Sequence, residues 1–149
     1  MTLVLPDANV LIHALRRGTP QHECCRQWLV ETTTRMDEMG LCELVEVALL
    51  RITSLPNLGI ASMEEVLGFW YEDLWSYPKA RRLVATPAHR RCFAGLVRDL
   101  KLSGNDINDA WLAALAMEHD ATLVSLDRGF ARFPELKWHH PGGGQSQGS

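Results

Sequence analysis

The stretch TLVLPDANVLIHAL, residues 2–15, places a single acid between two apolar segments. The first segment contains an unbroken Leu-Val-Leu run that a proline closes, and this predicts a short buried strand over 2–6. Beyond Asp7, apolar side chains recur at helical spacing and predict a helix that ends near Arg17, where Gly18 stops it. A strand that runs directly into a helix is the first half of a crossover to a parallel strand.

The same alternation continues along the rest of the chain. Further strands are predicted over 38–42, 81–86 and 121–127, with a short turn of helix and an edge strand within 130–138. Further helices are predicted over 19–31, 43–52, 62–75, 88–101 and 109–119. Thr19-Pro20, Ser62 and Thr86-Pro87 supply the N-cap signals for three of these helices. The pattern predicts an α/β fold, a three-layer α/β/α sandwich with a mainly parallel central sheet.

Length and composition limit what this fold can be. With 149 residues and 16.8 kDa, the chain forms one domain, expected over 1–140, followed by a disordered tail, PGGGQSQGS, at 141–149. Charged residues interrupt every apolar stretch before it reaches the length of a membrane span. The N-terminus lacks the pattern of a secretory signal, so we expect no membrane association and a cytoplasmic location.

Charge and metal-binding residue types narrow the function. The net charge of −3 and pI near 6.0 argue mildly against an extended nucleic-acid groove. Arginine pairs such as Arg16-Arg17 and Arg81-Arg82 suit phosphates, although a solvated helix face is the favoured explanation for any single pair. The four cysteines form no C-x-x-C motif, and the six histidines show no zinc-ligand spacing.

Four acids are far apart in the sequence, yet the predicted topology leads each towards the same end of one sheet. They are Asp7, Glu43, Asp109 and Asp127. Ligands of open parallel sheets bind beyond the carboxyl ends of the strands. Two carboxylates about 5 Å apart repel by roughly 3 kcal/mol at an effective dielectric near 20. A divalent cation, Mg²⁺ or Mn²⁺, resolves this repulsion because these ions prefer carboxylate oxygen and water.

Helix capping is the alternative explanation for each acid taken alone. Asp7 and Asp109 both stand at predicted helix starts, where aspartate is favoured. Asp127, however, follows a strand and precedes no long helix that needs a cap. The helix that Asp109 opens is apolar nearly all round, so its first turn is expected in the interior, where a solitary charge is costly.

Three stretches together resemble the PIN-domain nucleases, especially the VapC-like toxins of bacterial toxin–antitoxin pairs. GNDINDAWLAALAMEHDATLVSLDRGFARFPELKW, residues 104–138, resembles their C-terminal half. DANVLIHAL resembles their first motif, and CELVEVALLRITSLPNLG, residues 42–59, resembles their second.

The resemblance implies a role for individual residues. The family's metal-site and catalytic acids fall on Asp7, Glu43, Asp109 and Asp127. Asn9 and Ser125 match the small polar positions that support the pocket. Glu46 lies one helical turn from Glu43, so either glutamate could be the ligand of the second motif, and Asp106 could reach the rim of the pocket.

The resemblance also implies an activity: Mg²⁺-dependent hydrolysis of single-stranded RNA by a metal-activated water. It further implies a cognate antitoxin, which often inserts a basic side chain into the acidic pocket, and a homodimer. Two alternatives remain open, a catalytically inactive PIN fold that acts as a binding module and a phospho-acceptor receiver domain with an acidic Mg²⁺ pocket. For Trp70, Tyr71, Trp75 and Tyr77, a place in the core or a subunit contact is favoured over stacking on RNA bases.

Overall fold

A computed structural model describes residues 2–56 and 62–143 and contains a five-stranded parallel sheet. The strands are β1 (Leu3–Pro6), β2 (Glu38–Leu41), β3 (Ala80–Arg82), β4 (Thr122–Val124) and β5 (Trp138–His139). Their order is β3-β2-β1-β4-β5, and all four pairings are parallel. The helices are α1 (Ala8–Leu15), α2 (His22–Thr34), α3 (Glu43–Thr53), α4 (Met63–Leu67), α5 (Pro87–Asp99) and α6 (Asp106–Glu118).

The central strand shows why the sheet is an inner layer. Every residue of β1 is buried, including those whose side chains point to opposite faces. A strand of a parallel sheet is buried in this way when helices cover both faces. The predicted three-layer α/β/α sandwich is therefore confirmed.

Local capping chemistry explains where several helices begin. The carboxylate of Asp7 accepts a hydrogen bond from the backbone N–H of Ala8, and Ser62 Oγ accepts one from that of Glu65. Thr86 caps α5 through the N–H of Ala88, with a proline in the first turn. These three predicted caps are confirmed. They could be predicted because each depends only on residues that are close in the sequence.

The predicted cap at Thr19 is wrong, since α2 begins at His22. The Thr19 hydroxyl instead donates to the carbonyl oxygen of Arg16 and contacts Nδ1 of His13. It is thus used to close the turn around Gly18, which has a φ of +88°. The helix also continues to Thr34, beyond its predicted end near residue 31.

Helix α6 begins three residues before its predicted start, so Asp109 lies within the first turn and does not open the helix. Acidic side chains are favourable anywhere in the first turn because of the helix dipole, and Asp106 occupies that turn as well. As predicted, the helix is central to the core, with Ala110 and residues 112–116 buried.

The segment predicted as one helix over 62–75 changes its hydrogen-bonding pattern midway. α4 continues into a π-helical segment, Gly68–Leu74. This segment buries Trp70 while Tyr71 and Trp75 remain exposed. The Tyr77 hydroxyl donates to the carbonyl oxygen of Asp37 over 2.6 Å. Of the four aromatic residues, Trp70 is therefore a core residue.

Two predicted segments extend outside the described residues. The loop predicted over 54–59 is described only up to residue 56, and the tail predicted over 141–149 only up to residue 143. Within the described ranges, no helix combines the length and apolar character that crossing a membrane requires.

Gly40 on β2 has no space for a side chain. A Cβ atom there would collide with Cδ1 of Leu83 and lie 2.9 Å from its Cγ. We expect Gly40→Ala to lower the free energy of unfolding by about 1–3 kcal/mol through overpacking, measured by urea denaturation. Gly95→Ala is the matched control, because its new Cβ meets nothing nearer than an Arg98 nitrogen at 3.8 Å. That helical change should be neutral or stabilising by up to about 1 kcal/mol.

Candidate active site

The candidate site lies where the sheet changes its direction of winding. From the central strand β1 the chain moves first to β2 on one side, and it later returns to β4 on the other side. Such a switch point leaves a crevice beyond the carboxyl ends of the two central strands. Asp7 directly follows β1, and its backbone N–H donates to the carbonyl oxygen of Val124 over 2.8 Å. Asp127 follows β4 by three residues, so both acids stand at this crevice.

A hydrogen-bond network fixes the Asp7 carboxylate. Oδ2 accepts from the hydroxyl of Ser125 at 2.8 Å and from the amide of Asn9 at 3.4 Å. Asn9 also donates to Ser125 Oγ at 3.1 Å and accepts from the backbone N–H of Leu126 at 3.1 Å. Asn9 and Ser125 therefore tie the end of β1 to the segment after β4 and orient Asp7 between them.

Asp127 is held by its own loop. Its backbone N–H donates to Ser125 Oγ at 3.1 Å, and its Oδ1 accepts from the backbone N–H of Gly129 at 2.8 Å. It thereby caps a short 3-10 helix, Arg128–Arg132. The short turn of helix predicted within 130–138 lies at Arg128–Arg132, and its N-cap is Asp127, a role that the sequence pattern did not predict. This cap engages Oδ1 of Asp127 and leaves Oδ2 available to another partner.

Asp109 completes a cluster of three carboxylates. It lines one open pocket of about 340 Å³ together with Asp7 and Asp127. Burial raises the pKa of Asp7 to about 6, although its hydrogen bonds from Ser125 and Ala8 oppose this shift, and the charges of Asp109 and Asp127 raise it further. Burial and the charge of Asp127 also raise the pKa of Asp109. The pocket therefore concentrates negative charge.

The side chain of Arg132 partly offsets this charge. The Arg132 guanidinium donates to Asp109 Oδ2 at 3.1 Å and to Asp106 Oδ1 at 3.3 Å. It also lies 4.8 Å from the centre of the Phe133 ring. Arg132 keeps the pKa of Asp109 lower than burial alone would set it. Asp106 is exposed and does not line the pocket of the three aspartates, so its contact with the site runs through Arg132.

Neither glutamate of the second motif lines the pocket of the three aspartates. Glu43 is 72% exposed at its side chain and pairs with Arg82 at 2.5 Å. Glu46 accepts a hydrogen bond from the Tyr71 hydroxyl. Both line a separate hollow with Trp70 and Trp75. The reason is helix phase: at about 100° per residue, the α3 side chains that line the aspartate pocket project from a different face.

Comparison with known proteins agrees with this geometry. The family model described as PIN domain matches residues 4–136. This chain belongs to the PIN-domain family.

Its relatives within the PIN family are named ribonucleases. Ribonuclease VapC43 of Mycobacterium tuberculosis is 36% identical over 141 residues, which cover 94% of this chain and 96% of the relative. Ribonuclease VapC33 of the same species is 32% identical over 140 residues, covering 93% and 98%.

Solved structures share the PIN fold at low sequence identity. VapBC2 from Rickettsia felis, bound to a DNA fragment from its promoter, aligns with a TM-score of 0.69 at 16% identity, covering 93% of this chain and 98% of that one. DNA-bound VapBC from Salmonella typhimurium aligns at 0.65 and 18% identity, covering 93% and 98%. Membership of the PIN-domain family rules out the alternative that the chain is a phospho-acceptor receiver domain.

The pocket of this PIN domain contains residues that the sequence pattern did not single out. Arg51 and Asn108 line it beside the three aspartates. Asn108 directly precedes Asp109 in the sequence, and this adjacency was the available signal. Arg132 offered no comparable signal, because its contact with Asp109 depends on how the 3-10 turn packs against α6.

The donor set suits a hard divalent cation. All three acids offer carboxylate oxygens, and the charges of Asp109 and Asp127 add to the effect of burial in raising the pKa of Asp7 to about 6. Among the residues that the structure describes, no three acidic, histidine or cysteine side chains are grouped closely enough to hold an ion by themselves. This arrangement fits Mg²⁺ or Mn²⁺ held by one or two carboxylates with water in the remaining positions.

Proposed function

We propose that this PIN-domain protein is a Mg²⁺-dependent endoribonuclease that cleaves single-stranded RNA and acts as the toxin of a toxin–antitoxin pair in the cytoplasm. The observation that carries the proposal is the open pocket with Asp7, Asp109 and Asp127 at the switch point of the sheet. Carboxylates in such a pocket, without histidine or cysteine, favour metal-assisted phosphodiester hydrolysis over covalent catalysis.

The relatives support the substrate and the partner. Several are named VapC ribonucleases, and one solved neighbour, VapC20 of Mycobacterium tuberculosis, is described as a toxin that cleaves the sarcin-ricin loop. Other neighbours are VapBC complexes, some of them bound to DNA. We infer from these relatives that a cognate antitoxin binds this chain. We further propose, from the resemblance of the sequence to VapC-like toxins, that the chain works as a homodimer. A monomer in sedimentation at high concentration would exclude the homodimer.

Each residue of the site has a defined part in this proposal. One or two of the three aspartates, Asp7, Asp109 and Asp127, would bind the divalent cation directly and the rest through water. When bound, the cation would polarise the scissile phosphate and acidify a water molecule. Asn9 and Ser125 orient the Asp7 carboxylate through their hydrogen bonds to its Oδ2. We assign the role of general base to Asp109, in contact with the cation through water, because burial raises its pKa towards the working pH of a general base.

Cleavage of RNA with and without metal tests the proposal. The protein would be freed from its antitoxin, stripped with EDTA and incubated with total RNA. We expect no cleavage in EDTA and recovery of cleavage with Mg²⁺ or Mn²⁺. RNA cleavage that persists in EDTA would contradict the metal dependence. RNA that stays intact with either metal would favour the inactive binding module.

Paired substitutions decide which glutamate, if either, completes the site. We propose that Glu43, or Glu46 one turn later, reaches the cation after rotation of its flexible side chain. One of Glu43→Gln and Glu46→Gln should then raise the Mg²⁺ concentration needed for half-maximal cleavage about tenfold or more, the size typical of a weakened metal site. The other should change it less than about threefold. If both substitutions have equally small effects, the three aspartates are the protein's only ligands for the cation.

A further inference from the structure

A second and larger pocket adjoins the acidic one. We call it the side pocket; it has a volume of about 690 Å³, and its walls include His13, Gln21, Arg128 and His140. Asn9 and Asp127 line both this pocket and the pocket of the three aspartates. The two pockets therefore lie side by side and share a wall at the candidate catalytic site.

The side pocket offers unused hydrogen-bonding groups. In the part of the chain that the structure describes, the side chains of Gln21 and Arg128 make no hydrogen bond or ion pair, and both residues are exposed. His13 uses Nδ1 in its contact with Thr19, which leaves Nε2 for another partner. An amide, a guanidinium and an imidazole nitrogen thus face the same space.

The character of this space differs from that of its acidic neighbour. Burial and nearby Arg16 lower the pKa of His13, and burial and nearby Arg128 lower that of His140. The lowered pKa favours the neutral form of His13, and a neutral imidazole has one donor and one acceptor nitrogen. The Nδ1 of His140 already accepts a hydrogen bond from the backbone N–H of Gly142. Neutral donors and acceptors suit the edge of a nucleobase, while the arginine suits the phosphate attached to it.

We propose that the side pocket binds the nucleotide next to the scissile phosphate and thereby sets the base preference of cleavage. This inference rests on the proposed ribonuclease function. Gln21 and His13 would contact the edge of the base, and Arg128 would contact the adjoining phosphate. Because Asn9 and Asp127 line both pockets, a nucleotide bound in the side pocket would lie next to a phosphate placed at the three aspartates.

Substitutions at the two exposed positions test the assignment. Binding of a short fluorescent single-stranded RNA would be measured in the cleavage-deficient Asp7→Asn background, and cleavage sites on total RNA would be mapped in the otherwise unchanged protein. We expect Gln21→Ala and Arg128→Ala each to weaken RNA binding about five- to tenfold and to change the distribution of cleavage sites. Gln21→Glu should weaken binding at least as much, because it adds a negative charge beside the RNA.

Matched controls lie on α2, outside the side pocket. Gln27→Ala and Arg26→Ala remove an amide and a guanidinium that bond only to neighbouring glutamates on the exposed face of this helix. Both should leave RNA binding within about twofold and the cleavage sites unchanged. Thermal melting of every variant would confirm that the fold is retained.

The failures of the two proposals are distinguishable. If the unsubstituted protein neither binds nor cleaves RNA, the proposed function itself is wrong. If it cleaves RNA, but Gln21→Ala, Gln21→Glu and Arg128→Ala all retain its affinity and cleavage sites, only the side-pocket inference is overturned. Unchanged RNA binding together with weaker retention of the cognate antitoxin would assign the pocket to a protein partner and would also overturn it.

Discussion

Asp7→Asn is expected to lower the rate of RNA cleavage at saturating Mg²⁺ by a factor of about 10³ or more, which corresponds to about 4 kcal/mol of lost transition-state stabilisation. The amide preserves the shape of the side chain but removes the negative charge that would hold the cation. Asp109→Asn and Asp127→Asn should have effects of similar size, because both carboxylates line the same pocket. The measurement is the single-turnover rate on one defined RNA.

The control for this experiment lies one helical turn away from Asp109. Asp106 has the same charge, belongs to the same first turn of α6 and contacts the same arginine, yet it does not line the pocket. Asp106→Asn should therefore reduce the rate less than about threefold, the scale of an exposed ion pair. Activity of Asp7→Asn within tenfold of the unsubstituted protein would remove Asp7 from the catalytic set.

The stability of the metal-free protein should depend on Asp7 in a particular direction. Its pKa is raised from 3.8 to about 6, so the folded protein binds the proton more tightly than the unfolded chain does. The corresponding stabilisation is fully present below pH 3.8 and is lost as the pH rises through about 6. The full shift corresponds to about 3 kcal/mol, and the hydrogen bonds lost on substitution reduce this value.

We therefore expect Asp7→Asn to be more stable than the unsubstituted protein in EDTA at pH 8, by about 1–3 kcal/mol. The difference should shrink or reverse below pH 4, as urea unfolding at several pH values would show. Added Mg²⁺ should stabilise the unsubstituted protein and leave Asp7→Asn nearly unchanged, because only binding to the folded state adds stability. Asp73→Asn, an exposed change outside the pocket, is the control and should show no such pH dependence. A difference that grows as the pH falls would contradict the burial of Asp7.

Much of the fold follows from local patterns in the sequence. The Leu-Val-Leu run before Asp7 and the alternation of strand and helix patterns were sufficient to predict the parallel sheet. The caps at Ser62 and Thr86 were predicted because an N-cap hydrogen bond joins residues only two or three positions apart. The start of α2 was mispredicted because the Thr19 hydroxyl is used in a turn with Arg16 and His13, which the Thr-Pro signal alone does not reveal.

The positions of Asp7 and Asp127 at one end of the sheet were likewise predictable, since residues that directly succeed parallel strands lie at the same edge of the sheet. The direction in which helical side chains point was not predictable from the sequence. Asp109 faces the pocket, whereas Glu43 pairs with Arg82 outside it. Local patterns were thus enough to predict the alternating fold and the acids that reach one edge of the sheet. Three features could not be predicted in this way: which of these acids meet, the contact of Arg132 with Asp109, and the second pocket beside them. They depend on helix phase and loop packing, which are set by contacts between residues distant in the chain.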